Sequence, residues 1–326
     1  MKMEMKLFKR FAGIILVSAL GLTALTAQDR NAVIAAFNEG AKLTKTDVPG
    51  AIKAFENTIT IADQVGETAA DLKQKAAGAL PGLYLRAAQA AISEKKPAPE
   101  IMKAAKTAVA KADQYGTQTH KENASKMLVR AYNTLANSYF SQNDYPNTIM
   151  AFDSLLAINP GYVNAIYNKA LVQIKQNDAA GFESTIDNYL EKVKAVNDTV
   201  KVKQASRLAL EFFRSNGSEA NQADNLEEAI ATLDKAAKYG DDKDLFYFYA
   251  DVYNKKKNFD KGIEYARKGL ALETGAAEAQ AKFHYQLAVG QAGKGQNNDA
   301  CASFKKAMYG PFAEASKAQS KNLKCQ

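Results

Sequence analysis

One spacing constrains this chain more than any other feature. Over residues 129–162, Tyr132, Leu135, Ala136 and Tyr139 fall on one face of a helix. The polar stretch Ser141 to Pro146 follows, with Asn143-Asp144 ahead of Tyr145, and reads as a turn. Phe152 and Leu155 then stand at i and i+3 and make a second stripe, which Asn159-Pro160-Gly161 stops. The result is a hairpin of two helices, each with one apolar side. The small Ala136 lets the second helix approach closely. One such hairpin cannot bury its stripes alone, so neighbours must stack on it.

Other segments repeat the pattern. Ala165-Ile166-Tyr167-Asn168-Lys169-Ala170 aligns 34 residues after the first copy, with a poorly matching second helix near Phe182 to Val193. Phe246, Tyr249, Ala250, Tyr253, Phe259, Gly262 and Gly269 trace another copy. His284, Leu287, Ala288, Gly295, Ala300, Phe304 and Ala307 trace the next. Between these, Lys203 to Phe213 pairs with Leu226 to Ala237, and the polar run Asn216 to Asn225 reads as the loop that joins them. Nearer the N-terminus, Phe37, Gly40, Leu43, Ala51 and Phe55 form a degenerate copy. Leu83 to Ile92 and Glu100 to Ala112 pair across the turn Lys95 to Pro99. No alternating strand pattern interrupts them.

These residues resemble the tetratricopeptide repeat, whose pattern is W-x2-L-G-x2-Y, then A-x3-F, then P. Tyr132 takes the Trp slot, Leu135 and Ala136 the Leu-Gly slots, Tyr139 the Tyr slot, Phe152 the Phe slot, and Pro160 closes the unit. Thr148 stands where the family has a small Ala. The resemblance covers most of residues 31–310 and is clearest over 129–162, 163–196, 243–276 and 281–310. At about 34 residues per repeat it implies about six to seven helix pairs. The implied fold is all-α, a right-handed superhelical solenoid of antiparallel helix pairs. A capping helix over 312–324 is expected to cover the last stripe.

The first residues read differently. Lys2, Lys6, Lys9 and Arg10 precede an apolar run from Phe11 to Leu22, and Thr23 to Ala27 is small and mildly polar. This is the order of a secretory signal peptide, with cleavage expected after Ala27. An uncleaved anchor helix is the alternative. No Cys follows the run, which argues against a lipid-anchored start. Removing residues 1–27 takes away four basic residues and one acidic residue, so the net charge falls from +8 to +5. That charge is mild, and no Lys/Arg cluster interleaved with aromatics occurs, so nucleic acid is not an expected partner. Export implies a periplasmic or secreted protein with no membrane span after signal removal.

Chemical motifs are few. His120 and His284 lie far apart, which excludes a paired-histidine metal motif, and two Cys exclude a multi-cysteine zinc site. His284 fills a large aromatic slot of the repeat, and His120, in the polar run Gln118 to Asn123, reads as a solvated loop residue. Gly290 to Gly295 lacks both the leading Gly and the Ser or Thr of a phosphate loop, and reads as a turn between helices. Glu227-Glu228 and Asp241-Asp242 suit helix starts. No catalytic set, metal or cofactor is expected. In an exported chain Cys301 and Cys325 are expected to bond to each other, with two free thiols as the alternative.

The resemblance implies a non-enzymatic interaction and assembly scaffold that binds a peptide or partner protein on the concave face of its first helices. Aligned there are Asn133, Asn137, Tyr167, Asn168, Tyr247, Asp251, Asn254, Lys255 and Tyr285. Some members hold a ligand's C-terminal carboxylate with a Lys-Asn-Asn-Lys-Arg set. Asn137, Asn168, Lys203 and Arg207 match four of its places, while Asn133 stands where the family has Lys. A carbohydrate- or small-ligand-binding module and a self-associating envelope protein are the alternatives.

Overall fold

The computed structural model describes residues 29–326, and among them there is no strand. The expected signal peptide and its cleavage after Ala27 lie outside the described residues. Among the described residues fifteen α-helices follow one another: α1 (29–43), α2 (Val48–Val65), α3 (Ala70–Ser93), α4 (Ala98–Tyr115), α5 (Gln118–Ser141), α6 (Tyr145–Ile158), α7 (Val163–Lys175) and α8 (Ala179–Ala195). Then come α9 (Thr199–Gln222), α10 (Leu226–Ala237), α11 (Lys243–Lys255), α12 (Phe259–Leu272), α13 (Ala277–Gly293), α14 (Asn297–Lys306) and α15 (Ala313–Asn322). The chain is an all-α array of antiparallel helix pairs, seven of them among the described residues, with α15 as an unpaired cap. It divides into two compact units, the first ending at Ala165 and the second beginning at Ile166, within α7.

In the first unit Phe37 of α1 packs edge-on against Phe55 of α2, and Phe55 joins Leu80 and Leu83 of α3 in one cluster. Ile101 and Met102 of α4 join Met127 and Ala131 of α5 in the next. α3 and α5 lie side by side. In the second unit α9 lies beside α11, and α11 beside α13, while α10, α12 and α14 each pack on the first helix that precedes them. Each unit therefore has a layer of first helices and a layer of second helices. Phe152, Phe182, Phe213, Phe283 and Phe304 are fully buried between layers, each worth roughly 1.5–3 kcal/mol of transfer free energy.

Six turns share one construction. Asn143, Asn177, Asn197, Asp224, Lys257 and Gly295 take positive φ, and the next residue of each caps the following helix. The side chains of Asp144, Asp178, Asp198 and Asn258 accept the N–H three residues on. Asn and Gly tolerate the left-handed region, and Asp and Asn satisfy orphan helix donors, so a two-residue phrase such as Asn-Asp both ends one helix and starts the next.

Four expectations need correction. Asn216 to Gln222 is not loop but the last two turns of α9. Its buried face there is Gly217, Ser218 and Asn221, too small and polar to read as a stripe. Gly217 is required, because a Cβ there would stand 2.8 Å from the Leu233 side chain of α10. His120 is not a loop residue either. It lies in the first turn of α5, where its Nδ1 accepts the Thr117 N–H and Thr117 caps the helix in return. Gly290 and Gly293 belong to α13, and only Gly295 is in the turn. A Cβ at Gly293 would stand 2.4 Å from the Phe259 ring, so the glycine run is a packing surface. The cap helix is shorter than expected, Ala313–Asn322, and is preceded by a 3-10 turn at Gly310–Phe312. Among the described residues no helix is long and apolar enough to cross a membrane.

Candidate functional site

The first helices of the second unit are tied together by a polar chain. Asp251 of α11 is its centre. Its Oδ2 accepts from Asn221 Nδ2 of α9 at 2.6 Å, and its Oδ1 accepts from Gln286 Nε2 of α13 at 2.8 Å. Lys255 Nζ donates to the Asn221 backbone carbonyl and to its Oδ1, and lies 3.5 Å from Asp251. Asn221 and Gln286 are each only 3% exposed. Asp251 and Lys255 are therefore engaged by neighbouring helices, and their first role is to hold α9, α11 and α13 in register.

Asn254 departs from its expected place. It is 6% exposed, and its Nδ2 donates to both the backbone and side-chain oxygens of Gln286. A Cβ on Gly262 of α12 would stand 2.1 Å from Asn254 Oδ1. Asn254 thus points into the seam between helices and is not offered on an open face. The substitution pattern of the repeat hides this, because a polar residue in a packing slot looks like a surface residue until its partner, 32 residues away, is known.

Tyr247 and Tyr285 are brought together, and they are covered. Phe312, from the 3-10 turn ahead of the cap, lies 6.5 Å from Tyr247 and 5.5 Å from Tyr285 between ring centres. Lys282 lies over the Tyr247 ring and donates to Asp244. Burial, and then the Asp251 carboxylate, push both tyrosine hydroxyls above their ordinary value. Both stay neutral donors at physiological pH. The segment bearing Phe312 is held from both sides, since Cys301 of α14 and Cys325 beyond α15 are disulfide-bonded with Cα atoms 5.5 Å apart. Cys301 is the fifth residue of α14.

The remaining second-unit residues are more scattered. Tyr167 is half-buried and packs on Tyr189 of α8 at 5.1 Å, and Asn168 beside it is also half-buried. Lys203 and Arg207 are exposed on α9. Arg207 is 77% exposed in its side chain and pairs with Glu211 on the same helix at 2.7 Å. Among the described residues no hydrogen bond joins Asn168 to either cation.

The first unit presents an open surface. A cavity of about 670 Å³ lies between α3, α5 and the segment after α6. Its floor is apolar, with Leu85, Met127 and Val129, and its polar rim carries Arg86, Gln89, Lys126 and Arg130. Arg86 Nη1 donates to the Thr44 backbone carbonyl, and Arg130 Nη1 to Gln89 Oε1 at 2.9 Å. Asn133 and Asn137 continue the Lys126–Arg130 stripe along α5 at helical spacing, Asn133 half-buried and Asn137 exposed. Sequence reasoning missed Lys126 because α5 begins eleven residues before the recognisable repeat, and Arg86 and Arg130 because they fill no slot of the repeat pattern. The signal available was the helical spacing of Asn123, Met127 and Arg130 ahead of Tyr132.

No family model and no curated protein matches the chain. Among solved structures it is similar to MamA protein, at 17% identity over 61% of this chain and 96% of that one, with a TM-score of 0.35. It is similar to YrrB, described as a TPR protein with an unusual peptide-binding site, at 16% identity over 58% and 91%, TM-score 0.35. It is also similar to a tetratricopeptide repeat protein from Parabacteroides merdae, at 15% identity over 91% and 99%, TM-score 0.31. The chain is a helix-hairpin array. At these scores the likeness adds nothing to what the helices themselves display.

Proposed function

We propose that this chain is an exported, non-enzymatic scaffold that holds a peptide or a segment of a partner protein on its first-helix layer. The observation that carries the reading is the cavity between α3 and α5, open and lined on both sides by first helices. A stack of hairpins offers a long rigid surface of this kind without any catalytic geometry. The signal-like residues 1–27 and the bonded cysteines support export to an oxidising compartment. A free C-terminal carboxylate is the finer form of this reading for a ligand on the second unit taken by itself, with Lys203 and Arg207 of α9 as its cations. Arg207 then exchanges Glu211 for the ligand.

A photocrosslinking side chain at Gln89 tests the reading, with one at Lys106 of the second-helix layer as the control. The expected result is a crosslinked partner from Gln89 alone, in an envelope fraction. Equal crosslinking from Lys106, or none from either, removes the first-helix layer as the binding face. Crosslinking of the chain to itself instead favours self-association.

A further inference from the structure

The first-unit cavity has a charge character that no acidic group among the described residues neutralises by an ion pair. Arg86, Lys126 and Arg130 line it, and no Asp or Glu does. Among the described residues none of the three takes part in an ion pair, whereas Lys73, Lys111, Lys121, Lys201, Arg207, Arg214, Lys238 and Lys256 all do. The two arginines spend one nitrogen each on neutral oxygens, and a guanidinium has five N–H donors. Glu122 is close in sequence, but it lines an adjoining depression of about 550 Å³, which shares Lys126, Val129 and Asn159 with the cavity, and it accepts from Gln118.

We infer that this cavity binds an acidic segment of a partner protein, one whose carboxylates alternate with apolar side chains. The inference rests on the first-helix reading above and names the chemistry of its ligand. Arg86 and Arg130 stand on neighbouring helices, and each fork matches a carboxylate bidentately. Leu85, Met127 and Val129 between them take the apolar residues. A single-stranded nucleic acid fits less well, because base stacking needs aromatic platforms and Tyr162 is the one aromatic residue lining the cavity.

Fluorescence anisotropy with end-blocked ten-residue peptides tests this, since blocking the ends removes any terminal carboxylate. The probes alternate Glu-Leu, Gln-Leu or Lys-Leu, and a ten-nucleotide thymidine strand is the fourth. The Glu-Leu peptide is expected to bind about tenfold or more tighter than Gln-Leu, as one charge-assisted hydrogen bond suffices for. The gap should narrow as salt rises from about 50 to about 500 mM. The Arg86→Gln/Arg130→Gln double variant should lose the preference, each single variant part of it, and Lys203→Gln none, with helical circular dichroism unchanged throughout. Equal binding of Glu-Leu and Gln-Leu overturns the acidic specification and leaves the scaffold reading standing. Binding of no peptide overturns both. Tighter binding of the thymidine strand overturns the inference in favour of nucleic acid, and an unaffected double variant overturns the location.

Discussion

His284 sits half-buried on α13 with its Nδ1 buried and without a hydrogen-bond partner. Burial, and then the nearby Lys306, hold its pKa below the ordinary 6.5. The folded state therefore resists a proton that the unfolded chain accepts. Stability is full above about pH 6.5 and is lost as pH falls through the depressed folded value. The urea midpoint should drop between about pH 7 and pH 5, and His284→Phe should flatten that drop. Lysine partners hold Glu227 and Glu273 below the usual carboxylate range, so their losses come at lower pH and remain in the variant. Asp251 makes a second test. Asp251→Ala strands the buried amides of Asn221 and Gln286, and should cost about 1–3 kcal/mol by chemical denaturation. A cost near zero would mean the polar chain across α9, α11 and α13 contributes nothing to holding those helices.

At the level of helices and turns, the hairpins with large apolar stripes were legible and the ones built on small or polar faces were not. Tyr132, Leu135 and Ala136 announce α5, yet its first eleven residues contribute mainly Ala124 and Met127 to the core, so the repeat pattern begins well inside the helix. The end of α9 reads as a loop because its buried face, Gly217, Ser218 and Asn221, is small and polar, and the partner of Asn221, Asp251, stands 30 residues away. Tyr247 and Tyr285 stand on the neighbouring first helices α11 and α13, but Phe312, which covers them, lies outside any repeat. Ala136 and Ala250 are fully buried, so Leu at either should overpack by roughly 1–3 kcal/mol. An unchanged melting temperature at both would break the repeat register. The turns make a prediction of opposite sign. Lys257 holds a left-handed φ of 61° with a side chain that disfavours it, and Lys257→Gly should stabilise by about 0.5–1 kcal/mol.

At the scale of the whole chain, the two units differ in what they leave available. The second unit spends its polar first-helix residues on one another and lays Phe312 over its tyrosines, while the first keeps three unneutralised cations around a cavity. The disulfide belongs to this scale because it closes a loop with a sequence separation of 24 residues around the end of the array. In the chain-entropy model such a loop is worth about 3 kcal/mol. Intact mass with and without reductant should differ by about two daltons, the two hydrogens of one bridge. Reduction should lower the melting temperature of the second unit. The chain has no Trp, so Tyr309→Trp near the cap gives a local fluorescence report of that change.

The bridge also sets a clock. For a chain exported as proposed, synthesis takes place among reductants, where Cys301 and Cys325 stay thiols and α15 is held only by its packing. The last hairpin is then about 3 kcal/mol looser than in the finished protein, and the polypeptide is easier to keep unfolded for passage through a translocation channel. Oxidation after arrival closes the loop and makes the folded end hard to reverse. The same two residues that pin the cap thus separate a transport-competent molecule from a durable one, and the compartment decides which of the two exists.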